Sequence, residues 1–113
     1  MAKSGIARDG DLRFGHLEAF VQLAETGSYT KAGSALGLNR SQVRRDVQSL
    51  ERWLGNFPLF DGNTPAGLSP SGEQFIGSAR KILELTREGR MAVQSLVLPP
   101  PRPPVRGVDV EVP

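Results

Sequence analysis

The sequence has no cysteine and only one histidine, His16, among its 113 residues. Without cysteine the chain can form neither disulfides nor a cysteine metal site, and one histidine cannot assemble a metal centre or a catalytic triad. It also lacks a nucleophile–base pair and a phosphate-binding glycine loop. We therefore expect no enzymatic activity, no metal and no cofactor, and we interpret His16 as a surface or packing residue of the first helix.

Long apolar segments are missing as well. No apolar run approaches the roughly 20 residues that a membrane-spanning helix needs, and residues 1–9 lack the apolar centre of a signal peptide. These absences predict a protein with no membrane partner that stays in the cytoplasm, associated with the nucleoid if it binds DNA.

The excess of basic over acidic residues is small, with a formal net charge of +2, but the charge is unevenly distributed. Residues 28–52 contain five basic and two acidic side chains, a net charge of +3, whereas residues 1–27 have a net charge of −1. A local concentration of positive charge is typical of a surface that binds nucleic acid.

Residues 39–55 predict an amphipathic helix within this basic segment. Four apolar residues recur on one helical face: Val43, Val47, Leu50 and Leu54. Asn39 can cap the first turn, and Gln42 can reach back to the Asn39 amide in a capping box. Gly55 can end the helix in a left-handed conformation.

The start of this helix is crowded with polar groups that can reach DNA: Asn39, Arg40, Ser41, Gln42, Arg44 and Arg45. Arginine can donate two hydrogen bonds to guanine, glutamine can pair with adenine, and first-turn amides suit a phosphate oxygen. The pattern predicts a DNA-recognition helix. The alternative is the solvated charged face of an ordinary amphipathic helix.

Two further helices are predicted before it. The first runs from Leu12 or Gly15 to Thr26 and stops at Gly27, with four apolar residues at helical spacing: Leu17, Phe20, Val21 and Ala24. The second begins after Ser28 with Ser28 or Thr30 as its cap, and ends at Gly37. Its inward residues should be Ala32, Ala35 and Leu36. A short glycine turn before the arginine-rich helix is typical of a helix-turn-helix.

Two short apolar patches flank a glycine, asparagine and proline turn in residues 56–70, which predicts a small β-hairpin, the wing of a winged helix. Ser69 can then cap a long helix with Pro70 in its first position. That helix should run over residues 71–96 and could bend at Gly89. One side of it is apolar: Phe75, Ile76, Ala79, Ile82, Leu83 and Thr86. This side predicts dimerisation, and the alternative is packing on its own domain.

The chain therefore divides into four predicted parts. Residues 1–11 form a flexible arm, residues 12–70 a mainly α winged helix-turn-helix with a three-helix core, and residues 71–97 a long linker or dimerisation helix. Residues 98–113 form a proline-rich disordered tail, since proline lacks the amide that a helix or central strand needs.

Several local sequences together resemble the N-terminal DNA-binding domain of LysR-type transcriptional regulators over residues 12–84. They are 17–20 (LEAF), 23–32 (LAETGSYTKA), 50–51 (LE), 54–55 (LG), 58–61 (PLFD) and 68–73 (LSPSGE). The resemblance implies DNA contacts from the start of the second helix, through Thr30 and Lys31, and from the third, through Arg40, Ser41, Gln42, Arg44 and Arg45. It also implies that the long helix mediates dimerisation.

The chain departs from the family pattern at the wing, where Asn63 and Thr64 replace the usual basic residues and offer only neutral hydrogen bonds. The recognition helix is richer in arginine than is usual, so affinity could have moved from the wing to this helix. No effector domain follows in the sequence, so we expect no small-molecule effector.

We interpret the protein as a sequence-specific transcription regulator that binds double-stranded DNA as a homodimer and reads an inverted repeat through the major groove. A protein partner, such as polymerase or another regulator, is possible. The alternative is an interaction protein that uses the same fold to heterodimerise with or modulate another regulator, with weak DNA binding of its own.

Overall fold

The computed structural model describes residues 11–62 and 67–96, which form four α-helices. In chain order they are α1 (Phe14–Thr26), α2 (Tyr29–Leu36), α3 (Arg40–Trp53) and α4 (Pro70–Gln94). Between α3 and α4, Phe60 and Leu68 form an antiparallel bridge. The fold is therefore mainly α-helical, as the sequence predicts. The proline-rich tail and all but the last residue of the N-terminal arm lie outside the described residues.

The ends of α1 and α2 follow the glycine and serine signals of the sequence. Gly27 adopts a left-handed conformation with φ 68°, and its N–H donates to the carbonyl oxygen of Leu23 at 2.8 Å. Ser28 rather than Thr30 caps α2, because its Oγ accepts the N–H of Lys31 at 3.1 Å. The chain then reverses at Gly37, where φ is 73°.

The start of α3 confirms one half of the predicted capping box and corrects the other. Asn39 Oδ1 accepts the N–H of Gln42 at 2.8 Å, which satisfies an amide that the first turn leaves unpaired. The Gln42 side chain does not return to the Asn39 amide; it bonds to Arg45 and Asp46 instead. Hydrogen bonds to charged groups are stronger than one to a neutral amide, so these partners are preferred.

The end of α3 falls at Trp53, two residues before Gly55. Gly55 has φ 111°, and Asn56 follows in the left-handed region with φ 66°. The N–H of Asn56 donates to the carbonyl oxygen of Glu51 at 2.8 Å and closes the last turn. The predicted stop is confirmed at Gly55, whereas Leu54 acts as the cap rather than as a helical residue.

The hydrophobic core is built around α1, which packs against α2, α3 and α4. Its most deeply buried apolar side chains are Leu17, Ala19, Phe20, Leu23, Ala32, Val43, Leu50, Leu59 and Ala79. The Phe20 ring lies edge-on to Phe60 at 5.7 Å and stacks on Phe75 at 6.1 Å, both between ring centroids. One ring of α1 thereby contacts both the bridge region and α4.

Helices α2 and α3 approach each other closely at Gly33. A Cβ atom there would overlap the carbonyl oxygen of Leu38, so only glycine fits. The prediction that Ala35 points inward is wrong, because Ala35 is exposed. In this eight-residue helix, Ala32, Gly33 and Leu36 face the hydrophobic core of the domain. Ala35 lies about 100° from Leu36 around the helix axis and therefore points away from the core.

Helix α4 begins as predicted and divides into two unlike halves. Ser69 Oγ accepts the N–H of Gly72 at 3.0 Å, and Pro70 occupies the first turn. The helix continues through Gly89 without a break. Residues 84–96 are exposed throughout, whereas the first half packs on the core. No helix of the described residues is both long and apolar enough to cross a membrane.

Candidate nucleic-acid interface

Helix α3 separates its apolar residues from its basic ones. Val43, Val47 and Leu50 are buried against the rest of the domain. The side chains predicted to meet DNA lie on the other side of the helix and at its start. Five of them are exposed: Asn39, Arg40, Ser41, Arg44 and Arg45. The buried face holds the helix in place while the exposed face leaves its arginines open to a ligand.

Hydrogen bonds connect three side chains of this exposed face. Gln42 Nε2 donates to Asp46 Oδ1 at 2.7 Å, and Arg45 Nη2 donates to Gln42 Oε1 at 2.7 Å. Within the described residues, Arg40 and Arg44 make no hydrogen bond or ion pair through their side chains. The interface therefore combines two unengaged arginines with one that is held by its neighbour.

Thr30 and Lys31, in the first turn of α2, are both exposed. Helix α2 packs directly on α3, with its close contact at Gly33 and Leu38. The first turn of α2 is therefore fixed relative to α3 by this packing. Lys31 supplies a cation on a second element of the helix-turn-helix.

The described residues at the base of the predicted wing pair in an antiparallel manner. The N–H of Asp61 donates to the carbonyl oxygen of Gly67 at 2.9 Å, and the N–H of Ser69 donates to that of Leu59 at 3.0 Å. Glu51 of α3 accepts the N–H of Leu59 through its carboxylate at 2.9 Å. The two segments at the base of the wing are therefore hydrogen-bonded to each other, and one of them is hydrogen-bonded to α3. The predicted contact residues Asn63 and Thr64 lie outside the described residues.

The predicted dimerisation residues of α4 fall into different environments. Ala79 is fully buried in the core of its own chain, so its assignment to a dimer surface is corrected. Phe75, Ile76 and Leu83 are half-buried against the same core, whereas Ile82 and Thr86 are exposed. The apolar stripe in the first half of α4 faces inward, where this helix packs against α1.

The exposed part of α4 carries apolar side chains that the predicted set omits. Leu85, Met91 and Val93 of α4, together with Leu96 just after its end, are each more than half exposed. Leu85 lies three residues after Ile82, so the two are neighbours on the helix surface. That spacing was visible in the sequence, and it adds Leu85 to the residues available for a partner.

His16 is a packing residue, in agreement with its interpretation from the sequence. It is buried in α1, and its Nδ1 accepts the N–H of Arg13 at 3.2 Å at the start of the helix. Burial lowers the pKa of His16 below its ordinary value, and the nearby Asp46 carboxylate partly opposes this shift. Among residues 11–62 and 67–96 no three acidic, histidine or cysteine side chains are grouped as metal ligands.

Comparison with known proteins identifies the family. The family described as "Bacterial regulatory helix-turn-helix protein, lysR family" matches residues 14–73, more than half of the chain. The chain belongs to this family. The family resemblance drawn from local sequence phrases is thereby confirmed.

Two relatives illustrate the extent of the similarity. An SDS degradation transcriptional activation protein of Pseudomonas sp. is 36% identical over 86 residues, which are 76% of this chain and 28% of the relative. The HTH-type transcriptional regulator YofA of Bacillus velezensis is 34% identical over 80 residues, 71% of this chain and 28% of the relative. The chain thus spans less than a third of the length of these relatives.

Solved structures share the fold. The BenM_DBD/benA site 1 DNA complex superposes with a TM-score of 0.65 at 30% identity, covering 73% of this chain and 92% of that one. The CbnR_DBD-DNA complex superposes with a TM-score of 0.63 at 30% identity, covering 74% and 97%. Both solved structures contain DNA, and their chains are matched almost completely by this fold.

Proposed function

We propose that the protein is a sequence-specific transcription regulator that binds double-stranded DNA through the exposed start of α3. One observation carries this proposal. Helix α3 is capped by Asn39 and buried on one face, and it exposes three arginines near its start: Arg40, Arg44 and Arg45. DNA complexes among the structures of similar fold support the same ligand. We further propose that it acts in the cytoplasm and is not an enzyme.

The chemistry of the exposed groups suits the major groove. A guanidinium can donate two hydrogen bonds to guanine O6 and N7, and the groove is wide enough to admit a helix. Arg44 and Arg45 are one turn into α3 and are assigned to bases. Arg40, Ser41 and the amides of the first turn are assigned to phosphate oxygens, which favour the N-terminal end of a helix.

Contacts from other elements complete the proposed footprint. Thr30 and Lys31 at the start of α2 are assigned to the phosphate backbone, which positions the domain without reading sequence. Asn63 and Thr64 would supply neutral hydrogen bonds from the wing. In this assignment residues 12–70 bind DNA, and residues 71–97 form the linker and dimerisation helix.

We propose a homodimer that reads an inverted repeat. Two copies of α3 would then enter successive major grooves about 34 to 36 Å apart. Ile82 and Leu85 of α4 are exposed apolar neighbours and support a contact between copies, because an exposed apolar patch can mark a site of contact with another protein.

The exposed half of α4 also favours a second candidate function. A chain that uses these residues to pair with another regulator would modulate that partner and bind DNA weakly by itself. The two functions differ in whether the purified chain alone enriches a DNA sequence.

Selection against random duplex DNA at about 150 mM salt tests the proposal. The native protein should enrich an inverted repeat, and the double variant R44A/R45A should not. A matched control is R80A/K81A, which removes two adjacent exposed cations from α4. This variant should lose little stability, since both side chains of the Arg80–Glu25 ion pair are exposed to solvent.

The outcomes are distinct. Equal enrichment by R44A/R45A and by the native protein would refute the assignment of α3 to bases. Weak, salt-labile binding without a sequence preference by the native protein would favour the interaction protein instead.

A further inference from the structure

Three side chains on the exposed face of α3 form a directed hydrogen-bonded chain. Asp46 Oδ1 accepts from Gln42 Nε2, and Gln42 Oε1 accepts from Arg45 Nη2, both at 2.7 Å. The three residues are spaced at i, i+3 and i+4, which makes them neighbours on the helix surface. Gln42 and Asp46 are half-buried, while Arg45 is exposed at the outer end.

The two charged neighbours determine which way the glutamine amide points. A carboxylate can only accept hydrogen bonds, and a guanidinium can only donate them. The Gln42 nitrogen must therefore face Asp46, and its oxygen must face Arg45. Reversing the amide would place a donor against a donor and an acceptor against an acceptor.

The position of Asp46 calls for an explanation, because a carboxylate on a DNA-binding face is repelled by phosphates. Helix α3 has two acidic residues, and the other, Glu51, accepts the N–H of Leu59 and ties α3 to the wing base. Asp46 makes no such backbone contact within the described residues. Its side-chain partner there is Gln42.

We propose that Asp46 is a positioning residue that sets the base preference of α3 by acting through Gln42 on Arg45. This inference rests on the proposed function. Asp46 holds the Gln42 amide, and the Gln42 oxygen holds the Arg45 guanidinium before DNA arrives. An arginine that is already partly ordered loses less rotamer freedom on binding.

The arrangement also selects the kind of base. Within residues 11–62 and 67–96, one N–H of Gln42 and four N–H groups of Arg45 have no hydrogen-bond partner, so the pair presents mainly donors. Guanine offers two acceptors, N7 and O6, in the major groove, whereas adenine offers one acceptor beside a donor. We therefore expect Arg45 to bind a guanine, and we do not expect Gln42 to bind an adenine.

A first test needs no DNA. In ¹⁵N NMR spectra of the free native protein, the Arg45 guanidinium protons should exchange with water more slowly than those of Arg44. Asp46→Ala should shift the Gln42 side-chain amide resonances and bring Arg45 to the exchange rate of Arg44. Equal exchange of the two arginines in the native protein would overturn the inference.

A second test measures base preference. In the DNA selection, Asp46→Ala should reduce the preference for guanine at one position of each half-site by about 5- to 10-fold, part of what a bidentate contact contributes. Affinity for random DNA should stay the same or rise, because a negative charge is removed. A role in folding alone would lower binding to all sequences together and leave the preference intact.

Glu84→Ala provides the matched control. Glu84 accepts from Arg87 Nη1 at 3.1 Å on α4, so this variant also removes a carboxylate bonded to a nearby arginine. It should reproduce any general charge effect and leave the base preference unchanged.

A double-mutant cycle tests the route through Gln42. In a Gln42→Met background, which lacks the amide, Asp46→Ala should cause no further change in guanine preference. An equal change in both backgrounds would show that Asp46 acts directly and would overturn the inference.

The inference and the proposed function fail differently. If the native protein enriches a motif and Asp46→Ala enriches the same motif with the same base ratios, only the inference is wrong. If the native protein enriches no motif, the proposed function is wrong and the inference falls with it.

Discussion

Replacing Gly33 with alanine is expected to destabilise the protein, although alanine is the better helix-forming residue. In an open helix interior, glycine to alanine adds about 1 kcal/mol of stability. At Gly33 the new Cβ would overlap the carbonyl oxygen of Leu38, a backbone atom in the turn between α2 and α3. Because backbone cannot rotate away as a side chain can, the two helices would have to separate.

The magnitude follows from these opposing effects. Inserting a methyl group into a closely packed contact costs about 1 to 3 kcal/mol, to which the propensity gain is opposed. Because the new Cβ would overlap a backbone atom, which cannot move aside, the cost should lie in the upper part of this range, about 2 to 3 kcal/mol, and we expect a net loss of about 1 to 2 kcal/mol. For a domain of this size the melting temperature would fall by roughly 5 to 15 °C.

Thermal unfolding followed by far-UV circular dichroism measures this change, with Gly77→Ala as the matched control. Gly77 also lies within a helix, but nothing lies within 4 Å of a Cβ built there. That variant should melt at a temperature a few degrees higher than the native protein. A Gly33→Ala protein as stable as the native one would refute the close approach of α2 and α3.

Three other predictions concern a cap, a buried histidine and an exposed apolar residue. Asn39→Ala should cost about 1 kcal/mol in denaturant unfolding, whereas Asn39→Asp should keep the cap yet weaken DNA binding by bringing a negative charge to phosphates. Because burial lowers the pKa of His16, the unfolded chain binds more protons below its ordinary pKa of 6.5. Stability should therefore fall from pH 7.5 to 5.5, and His16→Gln should reduce this slope in denaturant titrations; an unchanged slope would contradict the assignment. Leu85→Asp should change the free energy of unfolding by no more than about 0.5 kcal/mol, since the residue is exposed, but weaken self-association in sedimentation velocity; unaltered association would exclude this part of α4 as the contact.

The parts of the fold that depend on local chemistry were predictable from the sequence. Ser28, Asn39 and Ser69 each cap the helix that follows, because a short polar side chain can bond to an amide three residues on. Helical spacing likewise identified Val43 and Leu50 as core residues, since both repeat on one face.

The parts that depend on contacts between distant segments were not predictable. Leu59 is fully buried, yet it lies outside any helix, so no periodicity marks it. The burial of Ala79 depends on α4 folding back on α1, which an amphipathic pattern cannot distinguish from pairing with a second chain. The prediction for Ala35 was wrong for a related reason, because a helix of eight residues is too short for its apolar pattern to specify one face.

The candidate site shows the same division at finer scale. The residue types at the start of α3 indicate DNA contacts, because arginine and glutamine are the side chains that read base edges. Which neighbour Gln42 bonds to depends on its rotamer, and a capping box and a bond to Asp46 are both compatible with the spacing. Only the structure distinguishes the two.

The ring of Phe20 has a consequence for the order in which the chain assembles. Helices α1 to α3 lie close together in sequence, whereas Phe20 meets Phe60 and Phe75 only after long stretches of chain. Contacts between nearby residues form faster than those that close long loops. During synthesis we expect the helix-turn-helix to collapse first, with Phe20 left open on one side until α4 has emerged from the ribosome and closes over it.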